Sequence, residues 1–153
     1  MQIKKLKLNN FQRFKEKELI FSEQFNVLVG ENGTGKSAII KAISIVLSAY
    51  ISKFSEDEPK EISQSDVRSK EILYDQISTV EPQYPTSINC NISADQFLEY
   101  GYQSDGGKLE WSCERHLASG FLITNEGNLT DIAFEVQEDV QIGRKTELPV
   151  FVS

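Results

Sequence analysis

The stretch FNVLVGENGTGKSAIIKAISIVLSAY, residues 25–50, decides the fold. It divides into three parts with different physics. Phe25-Asn26-Val27-Leu28-Val29 is an apolar run ending directly in Gly30, the pattern of a central parallel strand covered on both faces. Gly30 to Ser37, GENGTGKS, matches G-x-x-x-x-G-K-[ST] in full. From Ser37 onward, Ile39, Ile40, Ile43, Val46, Leu47 and Tyr50 fall on one stripe at a period near 3.6, which predicts an amphipathic helix.

Strand, glycine loop and helix in that order predict a phosphate-binding loop. Gly30, Gly33 and Gly35 let the backbone curl around phosphate without steric cost. The turned amides then point inward as a nest, and the helix adds the positive end of its dipole. Lys36 is expected to reach the β- and γ-phosphates, and the Ser37 hydroxyl to ligate magnesium. Glu31, Asn32 and Thr34 complete the loop, with Asn32 toward the γ-phosphate. The expected ligand is ATP with Mg2+.

Working outward, Met1 to Asn9 reads as a strand with an irregularity at Lys4-Lys5, and Asn9-Asn10 as a turn. Lys15 to Phe21 alternates again, so the first two strands form an antiparallel pair. Residues 54–68 are polar and make a loop, with a short helical turn near Asp66-Val67-Arg68. Pro82 to Pro85 is a second break. Residues 87–92 alternate with Ile88, Cys90 and Ile92 inward, and Leu109 to Cys113 does likewise after the turn Asp105-Gly106-Gly107. Phe97 to Tyr102 offers a further strand, and Phe121 to Thr124 a short one that turns at Asn125-Glu126-Gly127. A helix follows, with Asn128 as N-cap, Leu129, Ile132, Ala133, Val136 and Val140 at helical spacing, and Gly143 as C-terminal cap. Leu148 to Ser153 begins another strand of the buried type.

The 153 residues suffice for one domain with a core. No apolar run approaches the roughly 20 residues of a membrane helix, and the cytoplasm is the expected location. The net charge of −7 argues against nucleic-acid binding by the chain as a whole. Residues 1–17 run the other way, with Lys4, Lys5, Lys7, Arg13, Lys15 and Lys17 against Glu16 alone. A solvated sheet edge explains this more simply than a polynucleotide site. Cys90 and Cys113 fit as buried free thiols, and His116, the one histidine, as a surface residue.

Hydrolysis needs a carboxylate for the magnesium shell and a group that orients water. The nearest candidate strand, Phe121 to Glu126, is short and ends in a turn. Asp131, Glu135 and Asp139 recur every four residues as a solvent face. Leu117-Ala118-Ser119-Gly120 resembles a transporter-type signature but lacks its second glycine and glutamine, and it follows a strand. No residue is certain as a catalyst, beyond Lys36 stabilising phosphate.

The opening Leu6-Lys7-Leu8-Asn9-Asn10-Phe11-Gln12-Arg13-Phe14, with Phe25 to Val29 running into GENGTGKS, resembles the N-terminal lobe of ABC-like P-loop ATPases of the RecF, Rad50, SMC and OLD kind. Ser65-Asp66-Val67-Arg68, Glu81-Pro82-Gln83-Tyr84-Pro85, Leu109-Glu110-Trp111-Ser112 and Leu148-Pro149-Val150 are similar to a narrower group, the AAA-type ATPases of Septu and retron-linked anti-phage systems. The resemblance implies an α/β P-loop lobe with a mixed sheet and an added antiparallel layer over residues 86–124. It also implies ATP hydrolysis by a head-to-tail dimer of heads, an HNH nuclease as possible partner, and a DNA or RNA ligand as a further possibility. The Walker B and signature motifs of such proteins lie further along, so residues 1–153 read as one lobe of a longer protein, inactive alone. Many relatives carry Arg at the position of Gln12, near the nucleotide. Arg13, the next residue, is the candidate contact here, although on a strand a one-residue shift reverses the face.

Overall fold

The structure, a computed structural model, describes residues 2–55, 58–93, 108–118, 120–124 and 127–144. Its centre is an antiparallel five-stranded sheet in the order β2-β1-β5-β6-β7. The strands are β1 (Gln2–Phe11), β2 (Phe14–Ile20), β5 (Thr86–Ser93), β6 (Lys108–Leu117) and β7 (Gly120–Thr124). β3 (Ser69–Tyr74) and β4 (Ile77–Pro82) form a separate two-stranded hairpin. Two α-helices, α1 (Lys36–Ile51) and α2 (Gly127–Gln141), and a 3-10 turn at Gln64–Asp66 complete the described elements.

Alternation builds the core. Leu6 and Leu8 of β1, Ile88, Cys90 and Ile92 of β5, and Leu109, Trp111 and Cys113 of β6 are all buried. They pack in one cluster with Ala42, Ile45, Val46 and Tyr50 of α1 and with Ile132 and Val136 of α2. Trp111 adds a polar tie, its indole N–H donating to the Val46 carbonyl at 3.1 Å. The two cysteines are free and buried as expected, and burial, helped by Cys113 and Glu110, pushes the Cys90 thiol upward.

Several expectations shift. The irregularity in β1 stands, as a register shift between Ile3 and Lys5. The first turn, however, lies at Gln12-Arg13 rather than Asn9-Asn10. Asn10 does take a left-handed φ of 47°, but its carbonyl accepts the Arg68 N–H at 2.7 Å and its amide donates to the Pro85 carbonyl at 3.1 Å. Those partners absorb the kink within the strand. On α1 the sheet-facing stripe is Ala38, Ile39, Ala42, Ile45, Val46, Ala49 and Tyr50. Small alanines allow close approach to the sheet, and Ile40, placed inward by periodicity, is 60% exposed. α2 begins at Gly127, so Asn128 falls in its first turn instead of at the cap, while Gly143 does take the left-handed conformation, φ 74°.

The largest difference concerns Phe25 to Val29. This run forms no strand among the described residues, and Phe25, Val27 and Val29 are 80%, 64% and 87% exposed. A parallel strand exists only between neighbours that share its hydrogen bonds. All the described ladders belong to other segments. Sequence reading also missed β3 and β4, whose two-residue turn uses Asp75 and Gln76 at φ 45° and 73°. That geometry favours Asn-Gly or Asp-Gly, so Asp-Gln hides it. The expected strands at 97–102 and 148–153, and the turns at 105–107 and 125–127 apart from Gly127, lie outside the described residues. No described helix is long and apolar enough to cross a membrane.

Candidate nucleotide site

Gly35 ends the loop and opens α1. It is the N-cap at φ 101°, with no side-chain cap on the helix, and the first intrahelical bond runs from the Ile39 N–H to the Gly35 carbonyl at 3.0 Å. The amides of the first turn therefore have no partner within the helix, which is the standard anion-receiving geometry. Gly33 is likewise left-handed at φ 81°. A Cβ on Gly35 would lie 2.4 Å from Phe14 Cζ, so Phe14 packs against bare backbone there.

Lys36 folds back into the loop. Its Nζ donates to the Gly30 carbonyl at 2.6 Å and to the Glu31 carbonyl at 2.7 Å. Thr34 closes the same curve, its Oγ1 donating to the Glu31 carbonyl at 2.9 Å. The ammonium is thus held by carbonyls of the first two residues of the loop. Ser37 is exposed on the first turn of α1. It borders an open cleft of about 630 Å³ that Ile40, Lys41, Ser44, Lys60 and Glu61 also line. Glu31 and Asn32 are exposed at the loop's crest.

Arg13 lies against this loop. Its Cδ is 2.9 Å from the Cβ position of Gly35, and its Nη1 is 3.8 Å from that of Gly33. Arg13 is not on the reversed face of an extended strand, because Gln12 at φ 48° turns the chain there. The rest of the basic N-terminus is largely neutralised. Lys4 pairs with Glu23 at 2.8 Å, Lys5 with Glu18 at 2.8 Å and Lys7 with Glu16 at 3.0 Å.

Sequence reading missed the group beneath the turn. Asp66 is buried, and its Oδ1 accepts from Lys41 Nζ at 2.6 Å and from Gln12 Nε2 at 2.9 Å. Its Oδ2 accepts from the Ser63 N–H at 3.0 Å and the Ser63 hydroxyl at 2.6 Å. Burial by itself raises this carboxyl, but the Lys41, Ser63 and Gln12 donors outweigh it and hold it below its ordinary value. Ser63-x-x-Asp66 is a capping box that was available as a signal. His116 is exposed, as read, but it does have a carboxylate partner, Glu114 at 2.8 Å. Leu117 and Gly120 pair across the β6–β7 turn, so the signature-like stretch opens no helix.

Residues 1–141 match the family model described as AAA ATPase domain. The DNA replication and repair protein RecF of an Exiguobacterium species is 37% identical over 57 residues, 37% of this chain and 15% of that protein. RecF of Haemophilus ducreyi is 27% identical over 127 residues, 83% of this chain and 34% of that protein. The chain therefore spans about a third or less of the length of these relatives. A solved structure of an SMC ATPase, from work on ATP-driven dimerization and DNA-stimulated activation, shares the fold at TM-score 0.56 and 20% identity, over 88% of this chain and 78% of that one. An SMC head bound to the C-winged helix domain of ScpA does so at TM-score 0.55 and 22% identity, over 88% of this chain and 40% of that one.

Proposed function

This chain belongs to the AAA ATPase domain family, and from that premise we propose that it binds ATP with magnesium on Gly30 to Ser37, as one lobe of a longer nucleotide-switched ATPase. The observation that carries the reading is the Lys36 ammonium, held at 2.6 and 2.7 Å by carbonyls of the loop that begins an uncapped helix. The amides of Gly33, Gly35, Lys36 and Ser37 and the Lys36 charge fit the β- and γ-phosphates. The Ser37 hydroxyl fits a magnesium ligand, and a bound magnesium would offset phosphate charge. Asn32 and Arg13 border the same space.

Turnover is assigned to the intact protein. The carboxylate that completes the magnesium shell and the group that orients water come, in this reading, from beyond the lobe and from a second copy of the head. The similar SMC ATPase, studied for its ATP-driven dimerization, supports such an arrangement. ATP would favour the closed pair and hydrolysis would release it. For the setting, the RecF relatives support DNA processing. The similarity of residues 65–68 and 81–85 to Septu and retron-linked ATPases supports anti-phage defence beside an HNH nuclease.

Calorimetric titration of Mg-ATP into the 153-residue chain tests the site. Lys36→Ala removes charge-assisted bonds worth roughly 1.5–3 kcal/mol, so Kd should rise about 10- to 100-fold. Unchanged affinity would sink the loop assignment. Phosphate release by the chain alone at about 1 per second or faster would sink the division of labour.

A further inference from the structure

We propose that Asp66 is a positioning residue for nucleotide binding, anchoring the Gln12-Arg13 turn so that Arg13 is delivered to the phosphate loop. The proposal rests on the ATP-site reading above and adds to it a residue that touches no nucleotide.

The turn is unusual backbone. Asn10 and Gln12, neither of them glycine, have φ of 47° and 48°. Such conformations persist where the surroundings over-determine them. The segment around Asp66 supplies that constraint. The Gln12 N–H donates to the Asp66 carbonyl at 2.6 Å, and the Gln12 side chain donates to Asp66 Oδ1 at 2.9 Å. The Arg68 N–H returns a bond to the Asn10 carbonyl at 2.7 Å, and Phe11 bridges Val67. Gln12 is thereby held by backbone and side chain together. Arg13, the next residue, is left to lie along Gly33 and Gly35.

The same carboxylate also reaches the helix. Lys41 stands four residues after Ser37, one turn further along α1, and its Nζ meets Asp66 Oδ1 at 2.6 Å. One buried side chain, 1% exposed, therefore ties the Arg13 turn to the helix whose first turn forms the phosphate seat. A purely local role would be narrower. Capping the 3-10 turn at Gln64–Asp66 uses Oδ2 and Ser63, and it leaves Oδ1 with nothing to do. Oδ1 is the oxygen that holds both Gln12 and Lys41.

A double-mutant cycle distinguishes the two roles. Mg-ATP affinity of the 153-residue chain is measured for Gln12→Ala, Arg13→Ala and the double variant, with thermal melting of each. If Gln12 and Asp66 act by placing Arg13, Gln12→Ala raises Kd about tenfold alone and leaves it unchanged on the Arg13→Ala background. Asp66→Asn should behave in the same way. If it fails to fold, Gln12→Ala carries the result, because Gln12 is only half-buried. Full additivity of Gln12→Ala with Arg13→Ala, or no effect of Gln12→Ala where Arg13→Ala has one, overturns the positioning role and leaves the ATP site standing. A wild-type chain that binds no Mg-ATP overturns the ATP site and this inference with it.

Discussion

The helix that leaves the phosphate loop and the apolar run that enters it are held in opposite ways. α1 buries its alanine-lined face against β1, β5 and β6, and its backbone accepts a bond from Trp111. Phe25 to Val29, equally apolar, is exposed and joins no ladder among the described residues. The difference teaches that hydrophobicity alone does not make a strand. A helix satisfies its own backbone and needs only a surface to lie on, whereas a strand needs neighbours for every amide. Among the described residues, one side of the loop is packed and the other is exposed.

The sharpest way to break this comparison is to attack the packed side. Trp111→Ala opens a cavity against α1 and removes the indole donor. It should cost about 3–5 kcal/mol in urea unfolding. A loss below about 1 kcal/mol would mean that α1 is not held by this sheet. Gly35→Ala comes next, since it places a Cβ 2.4 Å from Phe14 Cζ at φ 101°. Strain and overlap together should cost roughly 2–3 kcal/mol and remove Mg-ATP binding. Full binding by this variant would show that the loop rearranges freely.

A smaller effect concerns acid. The Asp66 carboxyl lies below its ordinary 3.8 in the folded chain. A carboxyl lowered by folding contributes stability that is fully present above the unfolded value and is lost as pH falls through the lower folded value. Melting temperature should therefore decline below about pH 4, and Asp66→Asn should remove its share of that slope. An identical acid limb in both proteins would separate Asp66 from the stability of the turn. The smallest effect belongs to the unpartnered side. Val29→Ala should shift unfolding by no more than about 0.5 kcal/mol, because there is almost no packing to lose. A cost near that of a core valine would show that the run is already covered.

Much of the fold was legible because the signals are local. Ile88, Cys90 and Ile92 alternate, and all three are buried. The Lys4-Lys5 irregularity broke the pattern of β1 where the register does shift. GENGTGKS specified its own turn, because Gly33 and Gly35 occupy φ values that other residues avoid. The hairpin of β3 and β4 was hidden because Leu73, Tyr74, Ile77 and Val80 are apolar yet exposed, so their pattern says nothing about a buried face. Arg13 was named as a contact, but its direction was not legible, for a different reason. Its direction depends on Gln12 turning at positive φ, and that turn is fixed by Asp66, 54 residues away along the chain.

By itself, then, the sequence determined the glycine turns of residues 30–37, the helix behind them and the inward alternation of the strands, since each follows from spacing within one segment. Only the tertiary structure decided which face of α1 is buried, whether Phe25 to Val29 has neighbours, and how Lys41, Gln12 and Asp66 join the turn to the loop. These are contacts between segments far apart in the chain, and no local period encodes them. The loop at residues 30–37 remains the firmest feature, now with Arg13 laid against it and a buried carboxylate behind that placement.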